Sequence, residues 1–331
     1  ILWRLNSWMP AKGRIEHDHL KIAADEIYKR SNGRLKIEIY PSFSLGLSFK
    51  TWLRDMRSGA IDISFILLPY VTGQEPSFSV TEMPEMWDSK EQSLLAMNAL
   101  SDFRKKVYKN VWNSELVGTG TITTGGSHEL NTKKKQIRTL DDVKGVKIRT
   151  LGARANELWS RLGASPQAMP LGQVYMAVKT GVVDGVVTGA AAIHSTKLHE
   201  VLDYAVRLWN NEAYPQDIVV SNKAWKPLSA DLKQIVREVF LRYSIASQAR
   251  AVQGEPDDDY WQKKCEEEGN MAYSNFSSKD YTKLRKTAIE VQLDWIERTG
   301  GRTLEAWALI RPYVIPHTEP GIAENYFEEY K

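Results

Sequence analysis

Leu35-Lys36-Ile37-Glu38-Ile39-Tyr40 alternates apolar and polar side chains and then meets Pro41. A period of two belongs to a strand with one buried face, and proline stops it. Residues 51–57 follow at helical spacing and end at Ser58-Gly59, and Ile61-Asp62-Ile63-Ser64-Phe65-Ile66 reads as the next strand. Upstream, Ile1-Leu2-Trp3-Arg4-Leu5 is a short strand that runs into a loop at Asn6-Ser7-Trp8-Met9-Pro10. Leu20, Ala23, Ala24, Ile27 and Tyr28 then share a helix face, with Asn32-Gly33 as a left-handed stop. Strand, helix and strand in turn predict an α/β fold with a largely parallel sheet.

The middle of the chain repeats the theme. Residues 117–124 read as a strand, Leu140-Asp141-Asp142-Val143-Lys144-Gly145 as a turn, and Val146-Lys147-Ile148-Arg149 as a strand. Ala155, Leu158, Trp159 and Leu162 mark a helix face closed by Gly163. Val182-Val183-Asp184-Gly185-Val186-Val187 is a strand buried on both faces. Residues 217–220 form another strand, after which strands are expected to run out. Helices are expected from Ser229 onward, around Trp261 and over 279–298, where Gly300-Gly301 ends the last.

At 331 residues the chain is long enough for two domains. Hydrophobic residues at 42% and charged residues at 26% exclude a disordered or collagen-like chain. A formal net charge of +3 gives no support to nucleic-acid binding. The single cysteine, Cys265, excludes an internal disulfide and any metal site with two thiolates. No apolar run reaches the length of about 20 residues that spans a membrane. The start at Ile1-Leu2-Trp3, without Met, is expected to follow removal of a signal peptide.

Motifs for catalysis are missing. Gly118-Thr119-Gly120 leads into strand-like Thr121-Ile122-Thr123-Thr124 rather than the helix that a dinucleotide loop needs. His17 and His19 diverge on a helix, and His194 and His199, five apart, share no helix face. Cys265 precedes three carboxylates that oppose a thiolate. No nucleophile elbow or phosphate loop occurs. A binder is therefore expected rather than an enzyme, with no cofactor and no metal.

In α/β sheets, ligands lie beyond the carboxyl ends of strands. The residues there are Asn6, Trp8, Leu67, Leu68, Tyr70, Arg149, Thr188 and Gly189. Arg149 closes an apolar strand, and a guanidinium grips a carboxylate through parallel hydrogen bonds.

The run 142–149, Leu162-Gly163-Ala164, Met169-Pro170, Val174-Tyr175 and Gly181-Val182-Val183-Asp184-Gly185 resembles the extracytoplasmic solute receptors of TRAP transporters. Ser31-Asn32-Gly33-Arg34-Leu35, Tyr40-Pro41-Ser42, Leu45-Gly46, Gly59-Ala60-Ile61-Asp62, Val220-Ser221-Asn222 and Leu228-Ser229 also look like that family. The resemblance implies a two-lobe, type II-like periplasmic-binding-protein fold with mixed sheets, a ligand cleft between lobes and a long bridging helix near 229–253. It places lobe I at 1–124 plus 215–255 and lobe II at 125–214 plus 256–331. It also implies a bacterial periplasmic receptor, monomeric, without catalysis, closing on its ligand and passing it to membrane permease subunits. Arg149 would hold the ligand carboxylate. The stretch after Gly300 carries no family mark.

Departures narrow the ligand. Ser127-His128-Glu129 stands where many members carry a second arginine, and Leu67-Leu68-Pro69-Tyr70 replaces polar residues of sugar-acid receptors. Gln173 replaces a usual Glu, and Thr188 follows the Asp-Gly pair. The expected ligand is a monocarboxylate with an apolar or aromatic body. Arg149 clamps it, Trp8, Leu67, Tyr70 and Trp209 form walls, and Asn6, Thr188 and Gly189 complete the site. Three other readings stay open: a neutral or cationic ligand, motivated by Glu129 and Glu212; a small-molecule enzyme; and a Trp-rich interaction scaffold.

Overall fold

The computed structural model describes residues 1–9, 15–82, 86–87, 89–123, 126–210, 213–253 and 258–314. The first half contains β1 (Leu2–Ser7), α1 (Ile15–Arg30), β2 (Lys36–Tyr40), α2 (Trp52–Ser58), β3 (Ile63–Leu67), α3 (Lys90–Ala99), α4 (Ser101–Asn110), β4 (Ser114–Thr123), β5 (Gly126–Thr132), β6 (Lys147–Thr150) and α5 (Ala153–Arg161). The second half contains β7 (Ser165–Ala168), α6 (Val174–Lys179), β8 (Gly185–Thr188), α7 (Ala190–Ser195), β9 (Tyr204–Asn210), β10 (Ala213–Ser221), α8 (Asn222–Trp225), α9 (Ala230–Gln253), α10 (Asp258–Gly269), β11 (Ala272–Asn275), α11 (Ser278–Thr299) and α12 (Gly301–Ile310).

Two sheets carry these elements, one per lobe. The first has the order β2-β1-β3-β10-β4 and the second β11-β9-β5-β8-β6-β7. Each is mixed rather than largely parallel. β10 runs antiparallel to β3 and β4, and β5 antiparallel to β8 and β9. The cause is the chain path. β4 and β9 each leave their sheet for the other, so β5 and β10 enter at the carboxyl edge and must run against the parallel strands. Strands also continue past Val220: β11 pairs with β9 at the edge of the second sheet.

Glycines explain how α9 lies on β4. A Cβ on Gly118 would sit 2.9 Å from the Phe240 Cβ and 3.0 Å from the Phe240 carbonyl. Ser244 and Ser247 of α9 accept the Thr119 and Thr121 amides at 2.8 and 2.9 Å. The glycine pair thus serves helix packing, not a phosphate.

The C-terminal elements divide between the cores. On α11, Leu284, Ala288 and Val291 pack in the second lobe, while Leu293 and Ile296 pack in the first. Ala306, Trp307 and Ile310 of α12 also belong to the first core. Arg302 ties α12 there through three bonds to the buried Glu75 (3.2, 3.0 and 2.8 Å). The family resemblance assigns everything from 256 onward to lobe II; α12 instead covers lobe I, because its apolar face meets 76–81 and α3.

Gly118→Ala is expected to cost about 1–3 kcal/mol in urea unfolding, since the methyl enters a filled space. Gly73→Ala, where a methyl meets nothing within 4 Å, is the expected silent control.

Candidate functional site

β6 delivers Arg149 to the interface between lobes, and the side chain is 1% exposed. Its Nε donates to the Met169 carbonyl (2.9 Å), which fixes the plane of the guanidinium. Nη2 donates to the Tyr70 hydroxyl at 3.4 Å. The Leu171 amide donates to the same oxygen, also at 3.4 Å. Tyr70 comes from the first lobe, where β3 ends at Leu67 and a 3-10 turn over Leu68–Val71 swings the ring across. Two donors on the phenol oxygen leave its own proton free to donate.

No carboxylate among the described residues lies within ion-pair distance of Arg149. A guanidinium has five N–H donors, and among the described residues two are used here. Burial pulls the Arg149 pKa below its ordinary range, with Tyr70 and Glu82 opposing the shift. Burial likewise pushes Tyr70 up, against the Arg149 charge. A buried cation with spare donors and no paired anion is costly unless an anion joins it.

Several sequence-expected residues gather here. Trp8 meets Tyr70 edge-on with ring centroids 6.1 Å apart, and Phe43 and Phe49 also pack on Tyr70, at 6.3 and 5.8 Å. Leu67 and Leu68 are buried beside them. Asn6, at the end of β1, is fully buried, and neither its amide oxygen nor its amide nitrogen has a partner among the described residues. The Trp8 indole N–H is unpartnered in the same sense. Val186 pairs with Arg149, so Thr188, two residues on, shares the Arg149 face of the second sheet. Gly189 follows as the residue that opens α7. Trp209 lies in β9 opposite Ser127, but its side chain is outside the described residues, as is Glu212.

Three features escape a reading of the sequence alone. The His128 ring stacks on Tyr214 (6.0 Å, 23°), joining β5 of one lobe to β10 of the other. Burial first, then the Arg149 charge, lowers the His128 pKa to about 4. Glu82 is the third. It reaches across the lobes to accept the Ala155 amide at 3.4 Å, at the start of α5. A Cβ on Gly152 would lie 2.5 Å from Glu82 Oε2, so only glycine admits this carboxyl. Nearby, Arg154 lies 3.3 Å over the Trp295 ring.

Other candidates resolve differently. Glu129 accepts from Gln262 Nε2 at 2.7 Å. His194 and His199 do meet, with rings stacked 5.1 Å apart, because Lys197 takes a left-handed conformation (φ 59) and folds the chain back beyond α7. Cys265 is buried, and burial, then the charges of Glu129, Glu268 and Glu266, pushes its thiol up to about 12. Among the described residues no three His, Cys, Asp or Glu side chains could hold a metal ion, and no helix is long and apolar enough to cross a membrane.

Comparison with known proteins identifies the family. Residues 7–298 match the family model for bacterial extracellular solute-binding protein, family 7 (DctP). The chain belongs to the DctP family. A sialic acid-binding periplasmic protein, SiaP of Vibrio cholerae, is 26% identical over 242 residues, covering 68% of this chain and 69% of that one. The chain spans 62%, 69% and 51% of the lengths of three curated relatives it matches. A Bordetella pertussis extracytoplasmic solute receptor binding pyroglutamic acid superimposes with a TM-score of 0.83 at 18% identity, covering 94% of this chain and 99% of that one. A marine metagenome TRAP solute-binding protein specific for aromatic acid ligands, in complex with 3-hydroxybenzoate, gives 0.75 at 20% identity, covering 95% and 98%. At these identities the structures establish the shared two-lobe fold of this DctP-family chain.

Glu82 carries a pH signature. Burial, against the charge of Arg154 and the Ala155 amide, holds its carboxyl at about 7 rather than 4.5. The folded state therefore binds this proton more tightly than the unfolded chain. The stabilisation is full below 4.5 and is lost as pH rises through about 7. Glu82→Gln mimics the protonated form. In urea unfolding it should match the parent near pH 4.5 and exceed it near pH 8 by on the order of 3 kcal/mol. A difference flat across pH would contradict this placement of Glu82. His128 titrates in both proteins and cancels.

Proposed function

We propose that this chain is the extracytoplasmic receptor of a TRAP transport system, binding a monocarboxylate with an apolar or aromatic body between its lobes. The observation that carries the reading is Arg149: buried, held by Met169, with three N–H groups unspent and the Tyr70 hydroxyl beside them. A carboxylate there would take parallel bonds from the guanidinium and a third from the phenol. Asn6, Thr188 and the Gly189 backbone would complete the polar contacts. Trp8, Leu67, Tyr70 and Trp209 would form the wall. Leu67 and Leu68, both buried and apolar, suit a hydrocarbon face better than a polyhydroxylated sugar.

Similar proteins support an acid. The Bordetella receptor binds pyroglutamic acid, and the marine receptor holds 3-hydroxybenzoate. Each ligand is a monocarboxylate. The cationic-ligand reading loses a motive, since Glu129 faces Gln262. Lobe I would comprise 1–124 and 215–255 together with α12, and lobe II 125–214 and 256–300. Opening would part Tyr70 from Arg149 and Leu171, so affinity would include the energy of closure. The protein would work in the periplasm, after loss of a signal peptide, as a monomer that hands its cargo to membrane permease subunits. Its role is carriage without chemical conversion.

Mass spectrometry of the acid released on denaturing freshly purified protein gives the probe for calorimetry. Arg149→Ala should weaken its binding by about 2–5 kcal/mol, or roughly 30- to 4,000-fold. Binding retained within a few-fold overturns the clamp.

A further inference from the structure

A second cluster of buried polar groups lies in lobe I. Gln216 of β10 is fully buried, and both its amide oxygen and amide nitrogen lack partners among the described residues. The Tyr243 hydroxyl, from α9, is equally unpartnered. Gly120 of β4 lies between them: a Cβ there would be 3.0 Å from the Tyr243 hydroxyl and 3.3 Å from Gln216 Oε1. A side chain there would press on both groups, so glycine leaves them room. Buried amides and hydroxyls are almost always paired, so three unpaired atoms around one glycine mark a place for a guest.

The cluster adjoins the strand end that leads to the Arg149 site. Gln216 pairs with Leu67, the residue that ends β3 ahead of the Tyr70 turn. Tyr214 is two residues away on β10 and so shares the face of Gln216. Its ring carries His128, which feels the Arg149 charge. Arg149, the stacked rings and the Gln216 amide are thus linked through neighbouring residues. The Tyr243 ring itself is held edge-on by Phe65 (6.2 Å, 87°).

Charge at this end is balanced. The ionised groups that act on Tyr243 are Glu16 and Arg250, and these form an ion pair with each other at 3.1 Å. Burial pushes the Tyr243 hydroxyl upward, so it stays neutral and able to donate. The amide offers both a donor and an acceptor. Such a cluster suits a neutral hydrogen-bonding group and gives a second carboxylate no countercharge.

We propose that Gln216 and Tyr243, spaced by Gly120, form a distal specificity subsite that recognises a neutral hydroxyl or amide on the end of the ligand opposite its carboxylate. This deepens the proposed function and rests on the Arg149 clamp. The ligand class becomes hydroxy- or carbamoyl-substituted monocarboxylates, with simple hydrocarbon acids and dicarboxylates disfavoured.

The test is calorimetry with benzoate and its 3-hydroxy, 4-hydroxy, 4-carbamoyl and 4-carboxy derivatives as probes. The parent protein should bind at least one hydroxy or carbamoyl member about 10- to 100-fold more tightly than benzoate, because benzoate would leave the buried groups unpaired. The 4-carboxy compound should gain no such advantage. Gln216→Leu and Tyr243→Phe should each shrink that ratio to within about threefold of unity. Arg149→Ala should instead weaken all the acids alike. Tyr243→Phe removes a single oxygen, so it reads the subsite even if Gln216→Leu fails to fold. An unchanged ratio in folded Tyr243→Phe, or no preference in the parent, overturns the subsite while the clamp stands. Failure of the parent to bind any of these acids overturns the monocarboxylate reading and this inference with it.

Discussion

A buried cation with no ion-paired carboxylate among the described residues sets the terms for the rest of the molecule. Arg149 sits at the end of an apolar strand, so β6 must bring it out of water as the lobe folds. The Met169 carbonyl and Tyr70 hydroxyl supply dipoles, not a countercharge. Dipoles keep the guanidinium oriented, yet they leave most of its desolvation uncompensated. An arriving carboxylate would supply what the chain withholds. The polar contacts of the site thus favour a ligand over a self-satisfied core, and the same logic extends to the Asn6 and Gln216 amides.

This arrangement needs two lobes that meet in a controlled way. The chain passes between the sheets from β4 to β5, from β9 to β10 and from α9 to α10, and α11 is packed in both cores. Near these crossings, His128 stacks on Tyr214 and Glu82 reaches the start of α5. Both contacts place a titratable group where the lobes touch. Burial holds each largely neutral around pH 6: the imidazole is lowered to about 4 and the carboxyl raised to about 7. With these two largely neutral, the buried charges beside these contacts are cationic: Arg149 acts on His128 and Arg154 on Glu82.

Local pattern is enough to find β2, β3 and β6, although the alternation in β3 misreports its burial: every residue from Ile63 to Leu67 is buried, Ser64 included. Gly118-Thr119-Gly120 is legible as strand from the β-branched run Thr121-Ile122-Thr123-Thr124 beyond it. The reason for the glycines, the approach of Phe240 and Tyr243, lies more than a hundred residues downstream. β11 is invisible to pattern, since Ala272-Tyr273-Ser274-Asn275 has no apolar run; it is a short edge strand defined by its pairing with β9. Strand alternation with helices suggests parallel sheets, and the mixed order contradicts it, because local pattern carries no strand direction. At the site, Arg149, Tyr70 and Trp8 stand at strand ends and can be read there. Glu82, Gln216 and Tyr243 cannot, since a polar residue on a strand or helix reads as solvated until its neighbours exclude water. His194 and His199 show the same limit: helix geometry separates them, and the left-handed Lys197 brings them together.

The central claim is that Arg149 receives the ligand carboxylate. A crystal structure of the protein purified with its native cargo tests this most directly. The account predicts carboxylate oxygens within hydrogen-bond distance of the Arg149 Nη atoms and the Tyr70 hydroxyl, with Nε still on Met169. A cargo whose acid group lies elsewhere, or one with no acid group at all beside an unmoved Arg149, would contradict it.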